Sequence, residues 1–142
     1  MTYAKDMPSD SQRLARAVIH LTRRLRQERH TELTPTQLAV LGTVSVMGPA
    51  TPSAIAAREN VRPPSVTRTL NCLTDDGYVL REPHPDDRRQ VLVRLSDKGE
   101  ALLAEERIRR NAWLDARLST LTVEQRTMLR EASDLLERLA AE

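Results

Sequence analysis

The chain is poor in the residues that staple, span or catalyse. It has one cysteine, Cys72, in 142 residues, so no disulfide can form within one copy. No apolar run approaches the ~18 residues that a membrane-spanning helix needs. The first eleven residues are polar and carry no signal-peptide core, which reads as a cytoplasmic protein. His20, His30 and His84 are scattered. No metal-ligand spacing, phosphate-cradling glycine loop or nucleophile elbow is present, so an enzyme, a metal site and a cofactor are not expected. There is no internal repeat and no low-complexity segment. At this length a single domain buries roughly 68–70% of its unfolded surface and needs no staple.

Lysine is scarce too. Lys5 and Lys98 are the only two among 22 basic residues, and the rest are arginine. The formal charge is only +2, with a pI of about 9.1. Arginine forks bind phosphates and guanine edges with two bonds at once, which suits DNA. A GC-rich genome produces the same bias, so the position of each arginine carries the reading.

The stretch 51–96 organises the chain. It reads as a short helix, a turn, a second helix opening at Pro63-Pro64, and two short strands around His84-Pro85-Asp86-Asp87-Arg88-Arg89. Thr51-Pro52-Ser53 is a cap followed by a proline that only a first turn tolerates. Ile55 and Ala56 are expected in the core, Asn60 in a left-handed turn, and Val61 as the plug between the two helices. Val66, Leu70 and Leu73 form the inner stripe of the second helix. Gly77 closes it left-handed, with Tyr78 folding back on Leu73. Its outer face carries Ser65, Thr67, Arg68 and Asn71, none with an apolar reason to be there. Cys72, beside Leu73, reads as a passive, partly buried thiol rather than a switch.

The strands are expected at 79–82 and 90–95, with Val91, Val93 and Leu95 on the inner side. Two strands alone are marginal, so the hairpin must lie against the helices.

The flanks are helical. Ser9-Asp10-Ser11-Gln12, Thr34-Pro35-Thr36-Gln37 and Thr122-Val123-Glu124-Gln125 are capping boxes. The first opens a helix to about residue 30, with Leu14, Val18, Leu21 and Leu25 on one face and arginines elsewhere. Such a basic amphipathic helix lies on a membrane or, more commonly, packs on a partner with its charges in water. The second opens a helix carrying Leu38, Leu41 and Val44 inward. Ser96 caps a long helix to about residue 119, with Leu102, Leu103, Ile108, Ala112 and Trp113 as its apolar surface. The last helix aligns Met128, Ala132, Leu135 and Leu139. The first, fifth and sixth helices hold more apolar stripe than a sixty-residue unit can cover, which predicts a symmetric pair.

The order of elements, Gly-Tyr-Val-Leu-Arg at 77–81, Asp87-x-Arg89, the alternating strand, and Ser96-x-x-Gly99 together resemble the MarR family of bacterial transcription regulators. The fold class expected is mainly α with a small β-hairpin wing. Residues 34–96 would form the winged helix-turn-helix, and 1–33 with 97–142 a helical dimerisation region. The resemblance implies a homodimer on a near-palindromic double-stranded operator, with half-sites about one turn (~34–36 Å) apart. Its fourth helix would enter the major groove, and the matching residues are Pro64, Ser65, Thr67, Arg68 and Asn71. Arg89 maps to the minor-groove arginine of the wing, with Asp87 shaping its turn. Arg88 would either add to that attraction or pair with Asp86 or Asp87. Thr51 and Ser53, at a helix N-terminus, would meet a phosphate or act as caps. Many family members are repressors released by small phenolic or lipophilic effectors, here between the first, second and fifth helices. Trp113 is a candidate lining residue there, or interface core. The first-helix cysteine of the peroxide-sensing branch is absent. The alternative function is a winged helix used for protein contact without sequence-specific DNA binding.

Overall fold

The computed structural model describes residues 6–141. Six helices and one hairpin follow in the order α1 (Asp10–Gln27), α2 (Pro35–Met47), α3 (Pro52–Glu59), α4 (Pro63–Asp75), β1 (Val79–Pro83), β2 (Val91–Leu95), α5 (Asp97–Leu118) and α6 (Val123–Ala141). The fold is mainly α with a two-stranded antiparallel hairpin, as the residue pattern predicts.

Local chemistry sets the helix starts. Ser9, Thr34 and Thr122 each accept from the backbone N–H three residues on, at 3.2, 3.1 and 3.1 Å. The glutamine at that third position reaches back to the cap N–H at 2.9, 2.9 and 3.0 Å. Each box satisfies two donors that a helix leaves orphaned. Thr51 Oγ1 accepts from Ala54 N at 3.2 Å and caps α3.

The end of α4 is a Schellman turn. Gly77 lies at φ +81°, Tyr78 N donates to Leu73 O at 2.9 Å, and Gly77 N to Thr74 O at 3.0 Å. Asn60, at φ 53°, ends α3 with the same pair of bonds: its N–H donates to Ala57 O and Val61 N to Ala56 O. A knot then ties the end of α4 to the start of α5. Buried Ser96 accepts from Gly99 N at 3.1 Å and donates to Gly77 O at 2.5 Å. A Cβ at Gly99 would collide with the Tyr78 carbonyl, so the helix can start this close to α4 only on glycine.

The core is one cluster. Val40, Leu41 and Val44 of α2, Ile55 and Ala56 of α3, and Val66, Leu70 and Leu73 of α4 close on Val79 of β1 and Val93 of β2. The hairpin register runs from Val79↔Leu95 to Pro83↔Val91. Ala50 adds a single bridge to Val93, with bonds of 3.0 and 2.8 Å, and fastens the hairpin to the chain just ahead of α3.

Several expectations need correction. Val61 is no plug: it is 46% exposed, because the left-handed turn at Asn60 carries it outward. Val91 is exposed rather than inward, being paired with Pro83 at the loop end of the hairpin, while Val93 carries the burial. Cys72 is exposed on α4, one step off the Leu73 stripe. The first helix ends at Gln27, where Glu28 caps it, short of residue 30.

α1 and α6 bury no residue. Leu14, Val18 and Leu21 on α1, and Met128, Leu135 and Leu139 on α6, are exposed. Among the described residues no helix is long and apolar enough to cross a membrane, and no three His, Cys, Asp or Glu gather as metal ligands.

Candidate nucleic-acid interface

α4 turns Val66, Leu70 and Leu73 into the core and leaves Pro64, Ser65, Thr67, Arg68 and Asn71 exposed. Thr67 and Asn71 are four residues apart and Arg68 and Asn71 three, so the three side chains form one patch. The helix spans thirteen residues, about 20 Å at 1.5 Å per residue, and its girth matches the ~12 Å major groove. Among the described residues Arg68 has no ion-pair partner. Its charge is free for an outside anion or base edge.

Asn71 is engaged. Arg81, on β1, donates from Nη2 to Asn71 Oδ1. Val79, Arg81 and Pro83 share one side of the strand by its two-residue period, and Val79 is fully buried. Arg81 therefore stands on the helix-facing side and reaches α4. This residue was missed in the sequence, although a charge at an inward strand position was a readable signal.

The hairpin loop is ordered by two side chains. His84 Nδ1 accepts from Asp86 N at 3.1 Å and Asp87 N at 3.2 Å. Asp87 Oδ1 accepts from Arg89 N at 3.0 Å and Arg89 Nε at 3.3 Å. The Arg89 side chain remains 92% exposed. Asp87 thus holds the backbone under Arg89 and aligns the base of its side chain. Arg88 is exposed and pairs with neither Asp86 nor Asp87. The ordering role of His84 was also missed; its place between two prolines at the loop entry was the available clue. Thr51 spends its hydroxyl on the α3 cap, while Ser53 is exposed beside it.

A cavity of about 430 Å³ lies between α1, α2 and α5. Leu25, Leu38, Val46 and Leu103 supply apolar wall, and four arginines (Arg26, Arg29, Arg107, Arg110) with Glu28 and Glu106 supply charge. Trp113 is not part of that wall. The guanidinium carbons of Arg24, at 5.4 Å, and Arg117, at 5.2 Å, lie over its ring in cation–π contact. The segment after α1 is held to α5 by Glu106, which accepts from His30 N, and by Arg109, which donates to His30 O, both at 3.4 Å.

The sequence model of the MarR family matches residues 33–91, which span α2 through the loop to the start of β2. An HTH-type transcriptional regulator of Mycobacterium leprae is 45% identical over 130 residues, 91% of each chain. The chain belongs to the MarR family. As a MarR-family protein it is a DNA-binding transcriptional regulator with a winged helix-turn-helix, and not an enzyme. The transcriptional repressor MdtR of Bacillus subtilis is 32% identical over 108 residues, covering 76% of this chain and 68% of MdtR. FabT of Streptococcus pneumoniae, crystallised in complex with DNA, superposes with a TM-score of 0.74 at 20% identity, over 93% of this chain and 98% of that one. That last likeness is one of fold. In MarR terms α3 and α4 are the helix-turn-helix, and β1 and β2 with their loop are the wing.

Proposed function

We propose that this MarR-family regulator is a cytoplasmic homodimeric repressor that grips a near-palindromic operator and is released by a small molecule. The observation that carries the reading is the exposed polar face of α4, with Arg68 unpaired, beside a wing loop ordered around Arg89. α4 enters the major groove. Arg68 makes two bonds to a guanine edge, and Ser65 and Thr67 meet bases or a thymine methyl. Pro64 sets the close approach of the first turn. Arg89, with Arg88, enters the minor groove, where negative potential rises as the groove narrows. Ser53, and the backbone that Thr51 caps, meet a phosphate.

Residues 34–96 act as the DNA-binding unit, and 1–33 with 97–142 as the dimerisation region. The bare apolar stripes of α1 and α6 support the pairing. The repressor role of MdtR supports the sign of regulation. The cavity between α1, α2 and α5 falls in the 300–1,000 Å³ range of ligand sites. Its apolar walls, with a net excess of arginine over glutamate, suit a small lipophilic or phenolic molecule.

The test is a titration of DNA from immediately upstream of the protein's own gene against random duplex, at low and moderate salt. The operator should bind at least about a thousandfold tighter, and footprint as two half-sites one turn apart. Equal and weak binding of both duplexes would instead make the winged helix a protein-contact module.

A further inference from the structure

We propose that Arg81 sets the base preference of α4 by fixing the orientation of the Asn71 amide. The inference rests on the reading of α4 as the groove helix and concerns one position in that groove. A free asparagine reads adenine with two bonds: its oxygen accepts from the N6 amino group while its nitrogen donates to N7. That needs both edges of the amide to face the base. Here Arg81 Nη2 reaches Asn71 Oδ1 from the hairpin side. The oxygen edge is turned toward the wing, and the two N–H donors of Nδ2 are left as the outward edge.

The electrostatics act in the same direction. A guanidinium beside Oδ1 repels a second donor brought to that oxygen, which is what adenine N6 would be. The free N–H groups of Arg81 are donors as well. Together the two side chains offer mainly hydrogens, since the one lone pair left on Oδ1 lies beside the guanidinium. The matching edge in the major groove is guanine, which presents acceptors at both N7 and O6. In water such an exposed bond contributes little. Under DNA the same groups are desolvated, and an unmatched donor then loses its water without replacement. The contact joins residues ten apart in the chain, one on the helix and one on the wing, so strand β1 contributes to base reading through a helix it is not part of.

The test is a selection from randomised operator duplexes with the full-length protein, read as base frequencies at each position. The wild type should prefer guanine over adenine by about tenfold at one position per half-site. Asn71→Ala should flatten that position alone, which identifies it. Arg81→Ala should shift the same position toward adenine, to within about twofold of guanine, and should add nothing to Asn71→Ala in the double variant. Arg81→Lys keeps a charged N–H donor for Asn71 and adds no acceptor, and should keep the guanine preference even where overall affinity falls. Thermal unfolding of each variant checks the hairpin; if Arg81→Ala does not fold, the lysine and Asn71 variants decide. Adenine preferred by the wild type at the Asn71 position would overturn the proposal. So would an Arg81→Ala protein weakened equally on all sequences with its preferences intact. Arg68→Ala in the same selection separates the two layers. If it relaxes a position while the Asn71 and Arg81 variants change none, the proposal alone fails; if no α4 variant changes any preference, the groove-helix reading fails with it.

Discussion

The middle of the chain and its two terminal helices use leucine in opposite ways. Every buried hydrophobic side chain among the described residues lies between Leu38 and Val93. In that segment Leu41 and Leu73 are wholly buried, whereas Leu135 and Leu139 on α6 are 55% and 64% exposed. Helical patterning does not separate the two regions, since α4 and α6 both carry an apolar stripe at helical spacing. What differs is whether the chain supplies something to cover it. The winged helix-turn-helix closes three helices and a hairpin on themselves and completes its own core. α1 and α6 present contiguous apolar faces, and faces of that kind mark association surfaces rather than ordinary exposure.

The contrast breaks most visibly at its centre. Leu41→Ala should lower unfolding stability by about 2–5 kcal/mol, because the tightly packed site collapses only partly around the cavity. Denaturant unfolding measures it, and a loss below about 1 kcal/mol would mean that the core is looser than its burial implies. Leu135→Glu is the matching change on a terminal helix. It should leave the helix-turn-helix folded by circular dichroism. It should also weaken self-association by about 1.5–3 kcal/mol for each leucine face lost from an interface. Sedimentation equilibrium reads this directly, and an unchanged dimer would move the interface away from α6.

The same contrast explains what was legible in the sequence. The caps at Ser9, Thr34, Thr51 and Thr122, the left-handed turns at Asn60 and Gly77, and the Val66–Leu70–Leu73 stripe are each decided within a few residues of chain, so their chemistry shows in the letters. Val61 was misread because the turn before it, once left-handed, rotates the following side chain in a direction that the pattern does not encode. Trp113 sits on an apolar stripe, but Arg24, from α1, comes to cover its ring. The Arg81–Asn71 bond depends on how the hairpin rotates about the Gly77 turn, and His84 on two backbone N–H groups of its own loop. Polar contacts between elements are set by tertiary geometry, and periodicity reports only which face is dry. Arg68 was readable for that reason: among the described residues nothing inside the fold pairs with it.

At the proposed DNA-facing surface the expected effects are smaller, and specificity separates them better than affinity does. Arg68→Ala should weaken operator binding by about 1–3 kcal/mol and relax one base position. A uniform loss on all sequences would reduce Arg68 to a phosphate contact. Competition binding with single-position variants of the operator distinguishes the two.

The smallest effect tests the wing, where two simple arguments predict opposite signs. Asp87 is a negative charge close to where phosphates would pass, so by charge alone its removal should tighten binding. Yet its Oδ1 accepts from both the backbone N–H and the Nε of Arg89, at 3.0 and 3.3 Å. Without that acceptor the arginine must be ordered at the moment of binding, which opposes association. An exposed pair of this kind is worth about 0–1 kcal/mol, so the two terms are close in size. Asp87→Asn separates them, because the amide oxygen can accept the same two bonds without the charge. The expected order of affinity is Asp87→Asn at or slightly above the wild type, and Asp87→Ala a few-fold below it, with thermal stability nearly equal in all three. Salt titration should then show nearly the same slope for the wild type and Asp87→Ala, and a slope lower by about one unit for Arg89→Ala. If the alanine variant binds as tightly as the asparagine variant, ordering of the loop contributes nothing, and Arg89 acts as a free charge on a flexible arm.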